Sequence, residues 1–135
     1  MTWPPQIGEL LARAEEAYAV HEKIAGYSLK LGHPRGGEKA DAFARVLGIT
    51  AADLDYLAEA LLEGARTIPI TTIRDRGRHG VLCQVIVPVR GLGDHVGRTA
   101  NVLTAWEIRW EDDPPRLVTA YITTKIHDRW PPSST

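Results

Sequence analysis

Side chains that bind phosphates and transfer protons are concentrated in one short glycine-rich segment of the N-terminal half. Within seven residues, this segment supplies an imidazole, a guanidinium and an ammonium group, from His33, Arg35 and Lys39. Histidine exchanges protons near neutral pH, and a lysine stabilises charge that develops on a phosphate. The spacing alone fits equally well a surface loop whose glycines serve only the turn geometry.

A second group of polar side chains lies near the C-terminal end. If Val118, Ala120 and Ile122 point into a core, the intervening residues line the opposite face of a strand. These residues are Thr119, Tyr121, Thr123 and Lys125. Three hydroxyls and an ammonium in a row suit an anion or another polar ligand. The alternative is that threonine and tyrosine are here simply good strand formers on a solvated face.

Arginines form a third group, at the run 74–79 and just before the third predicted strand. Arg74 and Arg78 are candidates for substrate binding, and Arg98 is placed like a residue that positions a phosphate. The alternatives are a solvated hairpin tip for the run and a rim charge for Arg98.

Composition excludes several classes of protein and of site. Lys and Arg number 16 against 17 Asp and Glu, a net charge of -1, so there is no molecule-wide positive field for nucleic acid. The single cysteine, Cys83, excludes an internal disulfide and a cysteine-based zinc site. No Walker loop, dinucleotide-binding glycine motif, HExxH pair or nucleophile elbow occurs. We therefore expect no metal and no cofactor, and acid–base chemistry on a phosphodiester fits the available side chains best.

Apolar runs are too short to cross a bilayer, and the N-terminus lacks a basic segment followed by an apolar stretch. We therefore expect a cytoplasmic protein that does not associate with a membrane.

Hydrophobic periodicity predicts helices first and strands second. Apolar spacing indicates helices over 9–18, 21–31 and 38–47, and a fourth that begins after a capping box at 50–53 and runs to about residue 65. Alternation with a period of two predicts strands over 67–74, 81–89, 100–110 and 117–126. Short connections favour antiparallel pairing. We expect an α+β fold, with N-terminal helices packed on a four-stranded antiparallel sheet. The chain is predicted to form a single domain over 1–135, with its core at about 7–126 and a loose tail at 127–135.

Several of these segments resemble a family of small bacterial domains of unknown function. The resemblance rests on KIAGYSL at 23–29, HPRGGEKA at 33–40, Phe43 and Leu47-Gly48 in the first half. In the second half it rests on GRTA at 97–100, TAW at 104–106 and PRLVTAY at 115–121. Members of the family occur at the C-termini of polymorphic bacterial toxins and as stand-alone proteins. The family is similar to the barnase–EndoU–colicin–RelE group of metal-independent ribonucleases, which also place helices before a four-stranded antiparallel sheet.

This resemblance implies one catalytic site made of His33, Lys39, Arg98, Thr119 and Tyr121. In that site a 2′-hydroxyl attacks the neighbouring phosphate and leaves a 2′,3′-cyclic phosphate. His33 moves a proton, Lys39 and Arg98 stabilise the transition state, and Thr119 and Tyr121 orient the phosphate. Expected partners are an RNA substrate such as tRNA and an immunity or antitoxin protein.

Two other functions fit the same residues. One is a non-catalytic module that uses the polar strand face to bind a protein or a nucleic-acid strand. The other is the neutralising half of a toxin pair, which the net charge of -3 over residues 1–66 (7 basic, 10 acidic) would suit.

Overall fold

The computed structural model describes residues 3–32 and 37–124. Its strands form one sheet in the order β1-β2-β3-β4, and each strand pairs antiparallel with the next. The bounds are Thr72–Asp75 (β1), Val81–Arg90 (β2), Thr99–Ile108 (β3) and Arg116–Ile122 (β4). With helices packed against this sheet, the predicted α+β architecture is confirmed.

Alternation along the strands gives the sheet a core face and an outer face. On β2, every second residue from Val81 to Val89 belongs to the main core, as the sequence predicted. Trp106 on β3 is also fully buried. Its indole nitrogen donates to the Thr104 hydroxyl at 2.8 Å, and that hydroxyl donates to the Val85 carbonyl at 2.6 Å. The polar groups inside this part of the core are therefore paired, as burial requires.

The register of β4 is interrupted once, and this changes which of its residues reach the core. Trp106 pairs with Leu117, whereas Ala105 pairs with Thr119, so Val118 is the extra residue of a bulge. Leu117 and Ala120 are buried, and Val118 is only half-buried. The expectation that Val118 points into the core is therefore wrong, but Thr119 and Tyr121 still lie on the outer face.

Three helices form the layer on the core face. Helix α1 begins as an α-helical turn, Val20–Lys23, and continues as a π-helical segment, Ile24–Ser28. Helix α2 is built in the same order, with an α-helical segment, Gly37–Ala42, followed by a π-helical segment, Phe43–Leu47. Gly48 then ends α2 in the left-handed conformation, with φ at 66°, as a C-terminal glycine does.

Helix α3, Leu54–Thr67, is the longest helix and lies across β2. The capping box before it is present, since the Thr50 backbone N–H donates to the Asp53 carboxylate at 3.0 Å. Gly64 lets the helix approach the sheet, because a methyl group at its α-carbon would lie 2.5 Å from a Val87 methyl.

Three predicted elements differ from the structure. Residues 9–18 form no continuous helix but only a 3₁₀ turn at Ala14–Glu16, because Arg13 takes a left-handed conformation. The strand predicted at 67–74 begins only at Thr72, since α3 continues to Thr67. The strand predicted over 100–110 also ends slightly earlier, at Ile108, and Trp110 beyond it is 63% exposed.

The free edge of β4 is covered by the segment that leads into and through α1. The Tyr18 backbone N–H donates to the Pro115 carbonyl, and the Leu117 N–H donates to the Tyr18 carbonyl, both at 3.1 Å. Further along, the buried Ser28 hydroxyl donates to the Ala120 carbonyl at 2.7 Å. These bonds fix α1 against β4.

No helix in the described ranges is long and apolar enough to cross a membrane.

Candidate functional site

The ammonium group of Lys39 lies at the centre of a cluster of hydroxylated side chains. Its Nζ is 3.5 Å from Thr119 Oγ1 and 3.4 Å from Tyr27 Oη. It also lies 4.5 Å from the centre of the Tyr27 ring and 4.8 Å from that of the Tyr121 ring. The structure thus brings together three residues singled out in the sequence, Lys39, Thr119 and Tyr121, and adds Tyr27.

Local structure explains why these four side chains meet. Ala40 faces the core from α2, so its neighbour Lys39 is turned to the side of the helix, towards β4. On β4, burial of Ala120 sends Thr119 and Tyr121 to the outer face. The hydrogen bond from Ser28 to the Ala120 carbonyl holds the end of α1, and therefore Tyr27, beside that strand.

Lys39 carries a positive charge that no described carboxylate neutralises through an ion pair. The described ion pairs involve the arginines and His21, and none involves Lys39. The side chain is half-buried, and the faces of the two tyrosine rings stabilise the ammonium group. A half-buried cation that the described carboxylates leave without an ion pair attracts an anion more strongly than a fully solvated lysine does.

The Thr119 hydroxyl can contribute a further hydrogen bond to such an anion. An ammonium group only donates, so Thr119 Oγ1 is the acceptor in its contact with Lys39. Its own hydrogen is therefore directed elsewhere. Together, Lys39 and Thr119 offer two donors to an oxyanion from one side.

Sequence reasoning missed Tyr27 as a site residue. Tyr27 belongs to the helix predicted over 21–31, where its spacing puts it on an apolar face with Ile24 and Leu31. The structure leaves it half-buried, with its hydroxyl at Lys39. The signal in the sequence was the hydroxyl itself, since a tyrosine next to the edge of a stripe directs its polar end out of the core.

Arg98 lies at a different place on the sheet. Ala105, the partner of Thr119, is six residues along β3 from Thr99, and at about 3.3 Å per residue this is about 20 Å. Arg98 precedes Thr99 and is exposed.

Arg74 and Arg78 lie near the edge of the sheet that is opposite the edge with the Lys39 cluster. Arg74 is on β1, three strands from β4, which corresponds to about 14 Å at the usual spacing. Arg78 is exposed in the turn Gly77–His79 that joins β1 to β2. Between these arginines and β4, Glu107 forms ion pairs with Arg76 at 3.6 Å and with Arg116 at 3.3 Å.

Thr123 follows β4 and continues its direction away from the bulge. Its backbone N–H donates to the Asn101 carbonyl at 2.9 Å, and its side chain is half-buried. His33, Arg35 and Lys125 lie outside the described residues. The described residues on either side of the His33 segment approach each other, because a methyl group on Gly37 would lie 3.5 Å from the Gly32 nitrogen.

Among the residues that the structure describes, neither the cysteine nor a cluster of metal ligands offers a second reactive centre. Burial raises the pKa of the Cys83 thiol to about 11, so the thiol is neutral at physiological pH and unsuited to act as a nucleophile. Within the described residues, no group of three His, Cys, Asp or Glu side chains is placed to hold a metal ion.

Comparison with models of protein families yields a match. A family model described as a domain of unknown function, DUF6883, matches residues 10–124. No curated protein and no solved structure matches the chain.

Proposed function

The chain belongs to this family of domains of unknown function, and we propose from its own site that it is a metal-independent ribonuclease. The proposed reaction is the attack of an RNA 2′-hydroxyl on the adjacent phosphate. The same proposal includes a toxin-like role, with tRNA as the substrate and the cytoplasm as the place of action. It also includes inhibition by an immunity or antitoxin protein.

The observation that carries the proposal is the contact of Lys39 Nζ with Thr119 Oγ1 at 3.5 Å, between two tyrosine rings. In-line attack on a phosphodiester places additional negative charge on its non-bridging oxygens. A fixed cation and a hydroxyl donor beside those oxygens stabilise the transition state more than the ground state, which is how such a site accelerates a reaction.

The steps of the reaction assign a role to each residue. The 2′-oxygen forms a bond to phosphorus and gives up its proton, while the bond from phosphorus to the 5′-oxygen breaks and that oxygen gains a proton. Lys39 stabilises the phosphorane-like charge, and Thr119 and Tyr121 orient the phosphate. His33 carries one proton, and Lys39, Tyr121 or a group of the substrate carries the other. The products are a 2′,3′-cyclic phosphate and a 5′-hydroxyl.

What supports His33 in this role is the arrangement of the described residues that flank its segment. Gly32 and Gly37 lie side by side at the start of α2, two residues before Lys39. His33 directly follows Gly32 in the sequence and lies six residues before Lys39.

The test is cleavage of purified total tRNA in the presence of EDTA. We expect the wild-type protein to produce fragments that end in cyclic phosphate, and Lys39→Met to reduce the rate by a factor of about 10² to 10³. Lys30→Met, which alters an exposed lysine in the same layer, is the matched control and should cleave at the wild-type rate.

Two results would contradict the proposal. One is the absence of cleavage by folded wild-type protein, and the other is an equal rate in Lys39→Met. RNA binding that depends on Lys39 without any cleavage would instead establish the non-catalytic binding module.

A further inference from the structure

Three apolar side chains on the outer face of the sheet are buried, although the helices pack on the other face. Leu103 is 1% exposed, Ala105 is 2% exposed, and Ile86, the partner of Leu103 on β2, is 5% exposed. Leu103 and Ala105 lie on the opposite face of β3 from Trp106. The main core cluster includes Trp106 but none of these three residues, which we call the outer patch. The helical layer therefore does not cover the outer patch.

The larger polar side chains beside the outer patch point away from it. Side chains of a sheet stand roughly perpendicular to it, so a neighbour covers a leucine only by bending over it. The Tyr121 ring lies 4.8 Å from the ammonium group of Lys39, which reaches β4 from α2. The Gln84 side chain accepts a hydrogen bond from the Thr72 hydroxyl of β1 at 2.6 Å. Both side chains are therefore directed away from β3, and the outer patch needs another cover.

The cover belongs to the chain itself, because these exposed fractions are those of a single copy. Outside the described residues lie 1–2, 33–36 and 125–135. Residues 1–2 adjoin Trp3, which lines a hollow with Ile108, about 17 Å along β3 from Leu103. The segment 33–36 supplies one apolar side chain, Pro34. The segment 125–135 supplies four, from Ile126, Trp130, Pro131 and Pro132.

We propose that the outer face of the sheet is the docking site of residues 125–135, whose apolar side chains cover the outer patch. Small apolar clusters of this kind commonly lie beneath a long connecting segment, apart from the main core. The docking departs from the expectation that 127–135 form a loose tail. It holds whatever reaction the Lys39 cluster performs, and it puts the segment beside that cluster, because Tyr121 pairs with Leu103.

The end of β4 places this segment within reach of the outer patch. The Thr123 N–H donates to the Asn101 carbonyl at 2.9 Å, and Asn101 precedes Leu103 by two residues on the same face of β3. That step is about 7 Å, whereas eleven extended residues span up to about 36 Å. Four strands at a spacing of about 4.8 Å extend over only about 14 Å. The segment is therefore long enough to cross the sheet from β4 to β1.

Thiol labelling on the two faces of the sheet tests the docking. Ala105→Cys places a thiol in the outer patch, and the natural Cys83, fully buried on the core face of β2, is the internal reference. Both thiols are alkylated with iodoacetamide in the full chain, and each rate is read by mass spectrometry. We expect both to react at least about 100-fold more slowly than in the urea-unfolded chain. Trp130→Ala should accelerate labelling at position 105 by about tenfold or more and leave Cys83 slow, because the helical layer still covers Cys83.

Trp110→Ala is the matched control, because Trp110 is 63% exposed and lies beyond the end of β3. It should change neither labelling rate. The double variant Ile126→Ala/Trp130→Ala removes both large apolar side chains of the segment, so it should accelerate labelling at position 105 more than Trp130→Ala alone does.

Four results would overturn the docking. Rapid labelling at position 105 in the otherwise unaltered chain would show that the outer patch is open. A slow rate that the double variant does not change would exclude the segment as the cover. Acceleration by Pro34→Gly in place of Trp130→Ala would assign the cover to 33–36. Equal acceleration of both thiols by Trp130→Ala would show that the segment supports the whole fold and does not cover one face.

Discussion

The Nζ of Lys39 lies 3.5 Å from Oγ1 of Thr119, although 80 residues separate them in the chain. Lys39 comes from the helical half and Thr119 from the last strand of the sheet. The site therefore exists only when α2 has docked beside β4. Any activity that depends on both residues reports directly on the completed fold.

A phosphate ligand should stabilise the folded protein through Lys39. A nucleoside 3′-monophosphate at about 100 times its dissociation constant should add about 2.7 kcal/mol to the free energy of unfolding. Lys39→Met retains the apolar stem between the tyrosine rings, so it should fold while losing this effect. The measurement is the melting temperature with and without ligand. An equal rise in Lys39→Met would place the phosphate elsewhere.

Tyr27 should contribute through its hydroxyl as well as through its ring. Tyr27→Phe removes the oxygen 3.4 Å from Lys39 Nζ and keeps the ring that stacks on the ammonium group. Loss of one hydrogen bond worth about 1 kcal/mol should lower kcat on RNA by about fivefold. Tyr18→Phe, at an exposed tyrosine, is the control and should leave kcat unchanged. If the two variants behave alike, the hydroxyl of Tyr27 has no part in the reaction.

Two glycine substitutions should change stability in opposite directions. At Gly64 an added methyl group would lie 2.5 Å from Val87, so Gly64→Ala should lower the free energy of unfolding by about 1 to 3 kcal/mol. At Gly26 no atom from another part of the chain would lie within 4 Å of an added methyl group. Gly26→Ala should therefore raise the free energy of unfolding by up to about 1 kcal/mol through helix propensity. Urea unfolding of both variants is the measurement. A stable Gly64→Ala would show that α3 does not approach β2 so closely.

The buried thiol should make stability depend on pH in the alkaline range. Burial raises the pKa of Cys83 from 9.0 to about 11, so the folded state favours the neutral thiol. The contribution of the neutral thiol to the free energy of unfolding is complete below pH 9. It is lost as pH rises towards 11, and the free energy of unfolding then falls by at most about 1.4 kcal/mol per pH unit. Cys83→Ala should show a shallower fall of unfolding free energy over that range. Identical slopes for the two proteins would contradict the assignment.

Hydrophobic periodicity was sufficient to predict that four strands and the later helices exist, since burial on one face determines both, but it did not predict that the first strand begins only at Thr72. The alternation from Val81 to Val89 and the capping box at Thr50 and Asp53 correspond directly to observed elements. Residues 9–18 have helical spacing too, but Arg13 takes a positive φ and forms hydrogen bonds with Glu16 and the Asp112 carbonyl. A long-range contact of this kind overrides local periodicity and leaves no mark in the local sequence.

The candidate site was predictable in part for the same reason. Alternation placed Thr119 and Tyr121 on one face of β4. Lys39 was a candidate because it lies within seven residues of an imidazole and a guanidinium group in the sequence. The contribution of Tyr27 depends on how α1 docks, through the hydrogen bond of Ser28 to the Ala120 carbonyl. The distance of Arg98 from Thr119 depends on strand register and on the bulge at Val118, which periodicity does not specify.

Because Tyr18 and Ser28 occupy the hydrogen-bonding positions along the outer margin of β4, a foreign strand cannot add to the sheet there without displacing them. Within the described part of the chain, the remaining open margin is β1, which is only four residues long. Self-association by strand addition is therefore directed to the β1 edge, which is opposite the β4 edge beside which Lys39 lies. A fibril that grew in that way would leave the Lys39 cluster on its surface.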